Sequence, residues 1–185
     1  AQLGARVAVV EKHHLGGTCL NYGCIPSKAL LSSAEMLHTV RQADKWGVKI
    51  EGGVGFDWSA ITQHKDRTIR QLRGGIASLF KGRAVASIAG RARFDAPGRV
   101  VVTAADGQEQ VVTADHVIIA TGSAPMRISG WPDDPAKVCT SDEAVHWPDL
   151  PRQLLVVGGG VIGCEFACMM QSFGVEVTVV EMMPR

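Results

Sequence analysis

Residues 2 to 11, QLGARVAVVE, recur at a constant offset of 170 as SFGVEVTVVE at 172 to 181. Each copy reads as a helix end, a glycine stop, a short β-branched strand and a terminal glutamate. A repeat of this kind constrains the fold more than a single motif does, because it asks for two α/β units. Upstream of the second copy, the apolar run Leu154 to Val157 enters G-x-G-x-x-G at Gly158, Gly160 and Gly163, followed by a helical stretch to Phe173. Glu181 lies 23 residues past Gly158. That is near the roughly 20 residues that separate a glycine turn from an acid reading a ribose 2′-hydroxyl. Glycines let the backbone approach a pyrophosphate, and the helix N-terminus, here opening at Val161 and Ile162, supplies N–H groups and positive dipole. Strand, glycines, helix, strand and acid in this order describe a dinucleotide-binding unit; a glycine-rich turn in some other α/β domain is the alternative.

By the same repeat, Glu11 is the ribose-binding acid of a first such unit, whose glycine turn would begin about a dozen residues before Ala1. The expected fold class is therefore α/β, with two Rossmann-like dinucleotide-binding units, parallel sheets and a small antiparallel β layer. Both units are expected to be truncated: residues 1–150 form the first and 151–185 the start of the second. Between them, Ser27 to about Trp46 reads as a helix ended by Gly47, with Leu30, Leu31, Ala34, Leu37 and Val40 at helical spacing. Phe56 to Lys81 reads as a second helical region in which Gly74 and Gly75 predict a kink or a close backbone contact. Ala84 to Ala89 is strand-like, and Val100–Thr103 and Val111–Val112 read as strands joined by the Ala105-Asp106-Gly107 turn. His116 to Ala120 reads as a buried strand ending at Thr121-Gly122-Ser123, where a small hydroxyl residue and a glycine let the backbone press against a ligand. Pro125 to Pro151 holds five of the eight prolines and reads as an irregular connector.

Hydrophobic residues make up 46% of the 185 and the formal net charge is +1, which fits a soluble globular protein and predicts neither nucleic acid nor membrane as a partner. The five cysteines are an odd number for a secreted disulfide scaffold, so a reducing, cytoplasmic setting is expected. Cys139, Cys164 and Cys168 sit among apolar or small residues and are expected to be small buried hydrophobes. Cys19 and Cys24 differ. On an ideal helix, positions five apart hold their Cα atoms about 8 to 9 Å from each other, and a disulfide needs less than about 7 Å. Bridging them requires a distorted turn, which Gly23 and Pro26 permit. A metal site lacks a second cysteine pair, and His13 and His14 precede the Gly16-Gly17 turn. A structural staple conflicts with a reducing compartment. A redox-active pair is the reading left, with Lys28 and a nearby helix N-terminus supplying positive potential for a thiolate. Two dinucleotide units and a redox pair together suggest a relay through a flavin and a nicotinamide nucleotide.

These residues resemble the FAD-dependent pyridine nucleotide–disulfide oxidoreductases. The resemblance runs over the whole chain and rests on GGTCLNYGCIPSKALL at 16–31, GGIASLFK at 74–81, ATGS at 120–123 and GGGVIGCEFA at 158–167. Leu20-Asn21, Ile25-Pro26-Ser27-Lys28 and the GGIASLFK stretch are more similar to the branch that oxidises dihydrolipoamide than to mercuric or glutathione reductases. The resemblance implies that Cys19 exchanges with a dithiol substrate, that Cys24 lies against the flavin, and that Lys28 pairs with Glu165 near the ring. It implies FAD held by Glu11, Gly16, Gly17, Thr18, Cys19, Cys24, Lys28, the Gly90-Arg91-Ala92 backbone and Thr121, Gly122 and Ser123. It implies NAD held by Gly158, Gly160, Val161, Ile162, Gly163, Glu165 and Glu181, the acid at 181 disfavouring a 2′-phosphate. No metal is implied. The implied activity is oxidation of protein-bound dihydrolipoamide with NAD⁺ as acceptor. Implied partners are a lipoyl domain of a 2-oxo acid dehydrogenase complex or glycine-cleavage system, and a second copy of the parent in a homodimer. Another reductase of the family, or a flavin-binding scaffold without catalysis, are the alternatives. Tyr22 departs from the family pattern, in which a small aliphatic residue is more usual. The six histidines are expected at surface or capping positions.

Overall fold

The structure is a computed structural model that describes every residue except Arg127, Asp133 and Arg185. In chain order its elements are β1 (Ala8–Glu11), α1 (Gly17–Asn21), α2 (Cys24–Arg41), α3 (Trp58–Gly82), β2 (Ala86–Ala89), β3 (Arg91–Ala96), β4 (Arg99–Thr103), β5 (Glu109–Thr113), α4 (Ser141–Ala144), β6 (Gln153–Val157), α5 (Val161–Ser172) and β7 (Glu176–Val180). Its contacts group into two compact units, one of residues 1–18 and 70–123, the other of residues 19–69 and 124–185.

In the first unit β1 pairs with β2 in parallel, Ala8 opposite Ala86 and Glu11 opposite Ala89. β3, β4 and β5 form an antiparallel layer in that order. Only the central strand β4 is buried, at Val100, Val101 and Val102. The β4–β5 turn closes as the sequence predicts: Gly107 adopts φ +84°, and Asp106 Oδ1 accepts the Gln108 N–H at 3.0 Å. β3 was not expected, although Ala92, Phe94 and Ala96 alternate with Arg91, Arg93 and Asp95 at strand period; all six of its residues are exposed. The stretch 116–120 is corrected in the other direction. It is neither paired as a strand nor buried; Ile118 is 89% exposed. Its β-branched run has the composition of a strand, but a strand also needs a neighbour for its N–H and C=O groups, and among the described residues none pairs with it.

The second unit has its core between α2, α5, α4 and the start of β7. Leu30, Ala34 and Leu37 of α2 meet Phe166, Met169 and Met170 of α5, with Ala144, Val145, Phe173 and Val175 completing the cluster. Phe173 is edged by Trp58, ring centroids 5.3 Å apart. β6 and β7 pair in parallel, Gln153 opposite Glu176 and Val157 opposite Val180. α2 begins three residues earlier than the apolar spacing predicts and passes into a 3-10 turn at Ala43–Trp46. Gly47, φ +76°, then stops the chain, the Val48 N–H reaching back to the Ala43 carbonyl at 3.1 Å. α3 starts where Asp57 Oδ1 accepts the Ala60 N–H. It runs unbroken through Gly74 and Gly75, and a Cβ at either would meet nothing within 4 Å. The expected close contact is thus absent: the two glycines lower helix propensity without interrupting the ladder. Among its described residues the connector holds one short helix, α4, opened by a capping box in which the Thr140 N–H donates to Glu143 Oε2 at 2.7 Å. Arg127 and Asp133 of that connector lie outside the described residues.

Cys139, Cys164 and Cys168 are exposed, not buried. For the last two the cause is helical geometry: positions 164 and 168 share the face of α5 opposite Phe166, Met169 and Met170. Among the described residues, no helix is long and apolar enough to cross a membrane.

Candidate functional site

Cys19 stands inside α1 and Cys24 is the first residue of α2, with the helix broken at Tyr22-Gly23. This is the distortion that five-residue spacing demands. A continuous helix would hold the two sulfurs apart, whereas here Cys24 is close enough to Cys19 to raise the point at which its thiol titrates. Pro26 fits because the first turn of α2 has no intrahelical use for its missing N–H. Leu20 and Asn21 anchor one side of the break in the interior and Pro26 and Ser27 the other, leaving both thiols exposed. Cys24 therefore projects from the N-terminal, positive end of an 18-residue helix.

Lys28, one turn into α2, donates to Glu165 Oε1 of α5 at 2.5 Å. With the lysine 55% exposed the pair is worth at most about 1 kcal/mol to stability. Its other effect is to hold one positive charge beside the thiols. The Cys19 thiol titrates above the ordinary cysteine value, first because of its hydrogen bond with Cys24, then through partial burial and repulsion from Cys24; the Lys28 charge opposes the rise. Removing Cys24 removes the largest cause and the repulsion. In the reduced protein, Cys24→Ala is accordingly expected to lower the pH midpoint of Cys19 alkylation by iodoacetamide. Alkylation near neutral pH should then be a few-fold faster. An unchanged or higher midpoint would show that Cys24 does not hold the Cys19 proton.

In the same unit the glycine turn joins β6 to α5. Gly158 adopts φ +109°. A Cβ at Gly163 would lie 2.0 Å from the Gly158 carbonyl oxygen, so only glycine lets the helix start this close to the strand end. A Cβ at Gly160 would meet nothing within 4 Å, leaving the approach to the N-terminus of α5 open. Val161 and Ile162 are the first residues of α5 and are exposed. The Glu181 carboxylate, just past β7, accepts the Gly159 N–H at 2.6 Å and the Met183 N–H at 2.8 Å. These amides, Met183's first, hold it below the usual carboxylate range. Glycines and acid are thus brought together as a nucleotide cradle requires.

In the first unit, the Gly90 N–H donates to the Glu11 carbonyl at 3.0 Å. The Glu11 carboxylate accepts the His13 N–H at 2.8 Å. Gly90, φ +152°, has no room for a side chain, since a Cβ would stand 2.6 Å from the Thr103 carbonyl oxygen. Ala92 sits opposite Val102 in the antiparallel layer. Gly122, φ +79°, faces Thr18 at the start of α1, its ideal Cβ 3.6 Å from Thr18 Oγ1.

Sequence reasoning missed one cluster. Lys65 is 1% exposed, and its Nζ donates to the Val145 carbonyl at 2.8 Å and lies 3.2 Å from His146 Nδ1. His146 Nε2 lies 3.2 Å from the Asn21 carbonyl, between the two cysteines in sequence. The signal was the placement of Lys65 four residues from both Ile61 and Ile69, on the apolar face of α3.

The sequence model of the family described as "Pyridine nucleotide-disulphide oxidoreductase" matches residues 1–185. A dihydrolipoyl dehydrogenase of Bacillus subtilis is 44% identical over 98% of this chain and 40% of its own length. One from Acholeplasma laidlawii is 43% identical over 99% of this chain and 54% of its own. The crystal structure of LpdA from Mycobacterium tuberculosis superposes with TM-score 0.86 at 29% identity, covering 96% of this chain and 39% of that one. The chain therefore spans between about two fifths and about half the length of these relatives.

Proposed function

Since the chain belongs to the pyridine nucleotide-disulphide oxidoreductase family, we propose that Cys19 and Cys24 are the exchange pair of an enzyme that oxidises protein-bound dihydrolipoamide. The observation that carries this is the helix break at Tyr22-Gly23, which turns cysteines five apart into interacting neighbours beside Lys28. A substrate thiolate attacks Cys19 Sγ of the oxidised pair; the Cys19–Cys24 bond breaks and Cys24 leaves as a thiolate at the first turn of α2. The second substrate thiolate then attacks the substrate sulfur bound to Cys19, closing the substrate disulfide and releasing Cys19. Two electrons remain on the pair and two protons have left the dithiol.

FAD, when bound, would supply a two-electron acceptor for the reduced pair, and NAD⁺ the terminal hydride acceptor. Residues 1–150 would carry the flavin nucleotide and 151–185 would begin the NAD-binding part. The open approach at Gly160 and the carboxylate at Glu181 fit a nucleotide with an unphosphorylated ribose. The approach of Gly122 to Thr18, and the Glu11–Gly90 hydrogen bond, fit the FAD assignment. Lys28 and Glu165 would sit with Cys24 near the flavin. The physiological substrate would be a lipoyl domain of a 2-oxo acid dehydrogenase or glycine-cleavage complex, met by a homodimer in the cytoplasm. Names of relatives support the substrate, and the family description supports a pyridine nucleotide.

The test is the full-length protein bearing this chain, assayed for bound flavin absorbance and for NAD⁺ reduction by dihydrolipoamide. NADPH oxidation by mercuric ion or by a glutathione-type disulfide, without NAD⁺ reduction, would overturn the substrate and leave the family reaction. Bound flavin with no turnover on any of these would favour a scaffold.

A further inference from the structure

The geometry points to His146 as a positioning residue for the thiol pair, held in one tautomer by buried Lys65; this deepens the exchange-pair reading and rests on it. Lys65 has three N–H donors and no acceptor. All three have partners: the Val145 carbonyl, His146 Nδ1 and, at 3.1 Å, Asp66 Oδ1. An ammonium cannot accept, so Nδ1 of the ring is the acceptor and the neutral ring carries its proton on Nε2. That nitrogen faces the Asn21 carbonyl, which can only accept. Both ends of the contact select the same tautomer.

Asn21 is the last residue of α1 and is 1% exposed. It lies at the break that brings Cys19 to Cys24. His146 thus ties the end of the Cys19 helix to a lysine set in α3. The ring of Tyr22, inside the break, stands edge-on to the same imidazole, centroids 6.0 Å apart. The clamp reaches the thiols through backbone position rather than charge transfer, so its effect belongs to the equilibrium between dithiol and disulfide.

The experiment uses the full-length protein with its cofactors, equilibrated over a series of glutathione buffers, then acid-quenched, alkylated and read by mass spectrometry of the Cys19–Cys24 peptide. In that equilibrium the two cysteine S–H bonds give way to one S–S bond, and glutathione disulfide takes the electrons and protons as two glutathione thiols. His146→Phe keeps a ring against Tyr22 and removes both hydrogen bonds. It is expected to lower the constant for disulfide formation about tenfold, the effect of one such bond, which raises the potential of the pair by about 30 mV. His146→Gln, which can donate to Asn21 and accept from Lys65, should return to within about twofold of wild type. Lys65→Met, which frees the ring to change tautomer, should shift the constant in the same direction as His146→Phe. An unchanged constant in His146→Phe overturns the clamp, whatever happens to its melting temperature. An equal shift in His146→Gln also overturns it, since the effect would then be one of shape. A wild-type protein that forms no Cys19–Cys24 disulfide at any buffer ratio overturns the exchange pair itself and the clamp with it.

Discussion

Cys19→Ser in the full-length protein is expected to abolish dihydrolipoamide-dependent NAD⁺ reduction by at least about 10⁴-fold, the scale seen when a covalent nucleophile is removed. Serine cannot form the sulfur–sulfur bond through which the electrons pass, and the thiol has no second route, because its partner Cys24 needs a neighbouring sulfur. Stability should change by no more than about 0.5 kcal/mol, since Cys19 is exposed and its backbone stays in α1. Steady-state turnover and a denaturation curve on the same sample separate the two effects. Retention of even a tenth of wild-type turnover would mean that the pair at the helix break is not the exchange site.

Gly163→Ala carries the largest expected structural effect. Its Cβ would arrive 2.0 Å from the Gly158 carbonyl oxygen, 3.1 Å from its carbon and 3.2 Å from Val156 Cγ1. Two of those atoms are backbone and cannot swing aside, so α5 must shift away from β6. A loss of about 3 kcal/mol or more follows, at the upper end for overpacked sites, and NAD⁺ binding falls with the displaced helix N-terminus. Gly160→Ala isolates the other requirement. There the added methyl meets only open space, so stability should hold within about 1 kcal/mol while affinity for NAD⁺ drops by about tenfold or more if, as proposed, a pyrophosphate approaches there. Denaturant titration and nucleotide binding on both variants test this. Equal stability losses at the two positions would remove the distinction between a packing glycine and an approach glycine.

The contiguous parts of the site were legible because their signals are local. GGTCLNYGCIPSK states its own geometry: a spacing that an unbroken helix cannot serve, with glycine and proline where the break falls. The second glycine turn is likewise announced by strand, glycines and acid in sequence order. Failures came where the decisive partner is remote or missing. Val117 to Ile119 has the side chains of a buried strand, yet strand identity is conferred by the neighbour it pairs with. β3 pairs with β4 through its backbone, and its alternation of Ala92, Phe94 and Ala96 with Arg91, Arg93 and Asp95 was a strand-period signal left unread. Cys164 and Cys168 looked apolar in one dimension and fall on the outer face of α5 once the helix is wound. His146 lies 125 residues from Asn21, and no local pattern reports a contact of that reach.

The sheet registers also set an order in which the chain closes on itself. Thr103 and Glu109 are partners across six residues, while Ala8 and Ala86 are partners across 78. Bringing the second pair together costs about 2 kcal/mol more in loop-closure entropy than the first, before any contact repays it. During synthesis the β4–β5 hairpin completes within a few residues of its own turn. The β1 strand waits for most of the first hundred residues, and Asn21 waits longer still for His146. The two thiols thus emerge together on a nascent chain well before the side chain that caps the helix end between them.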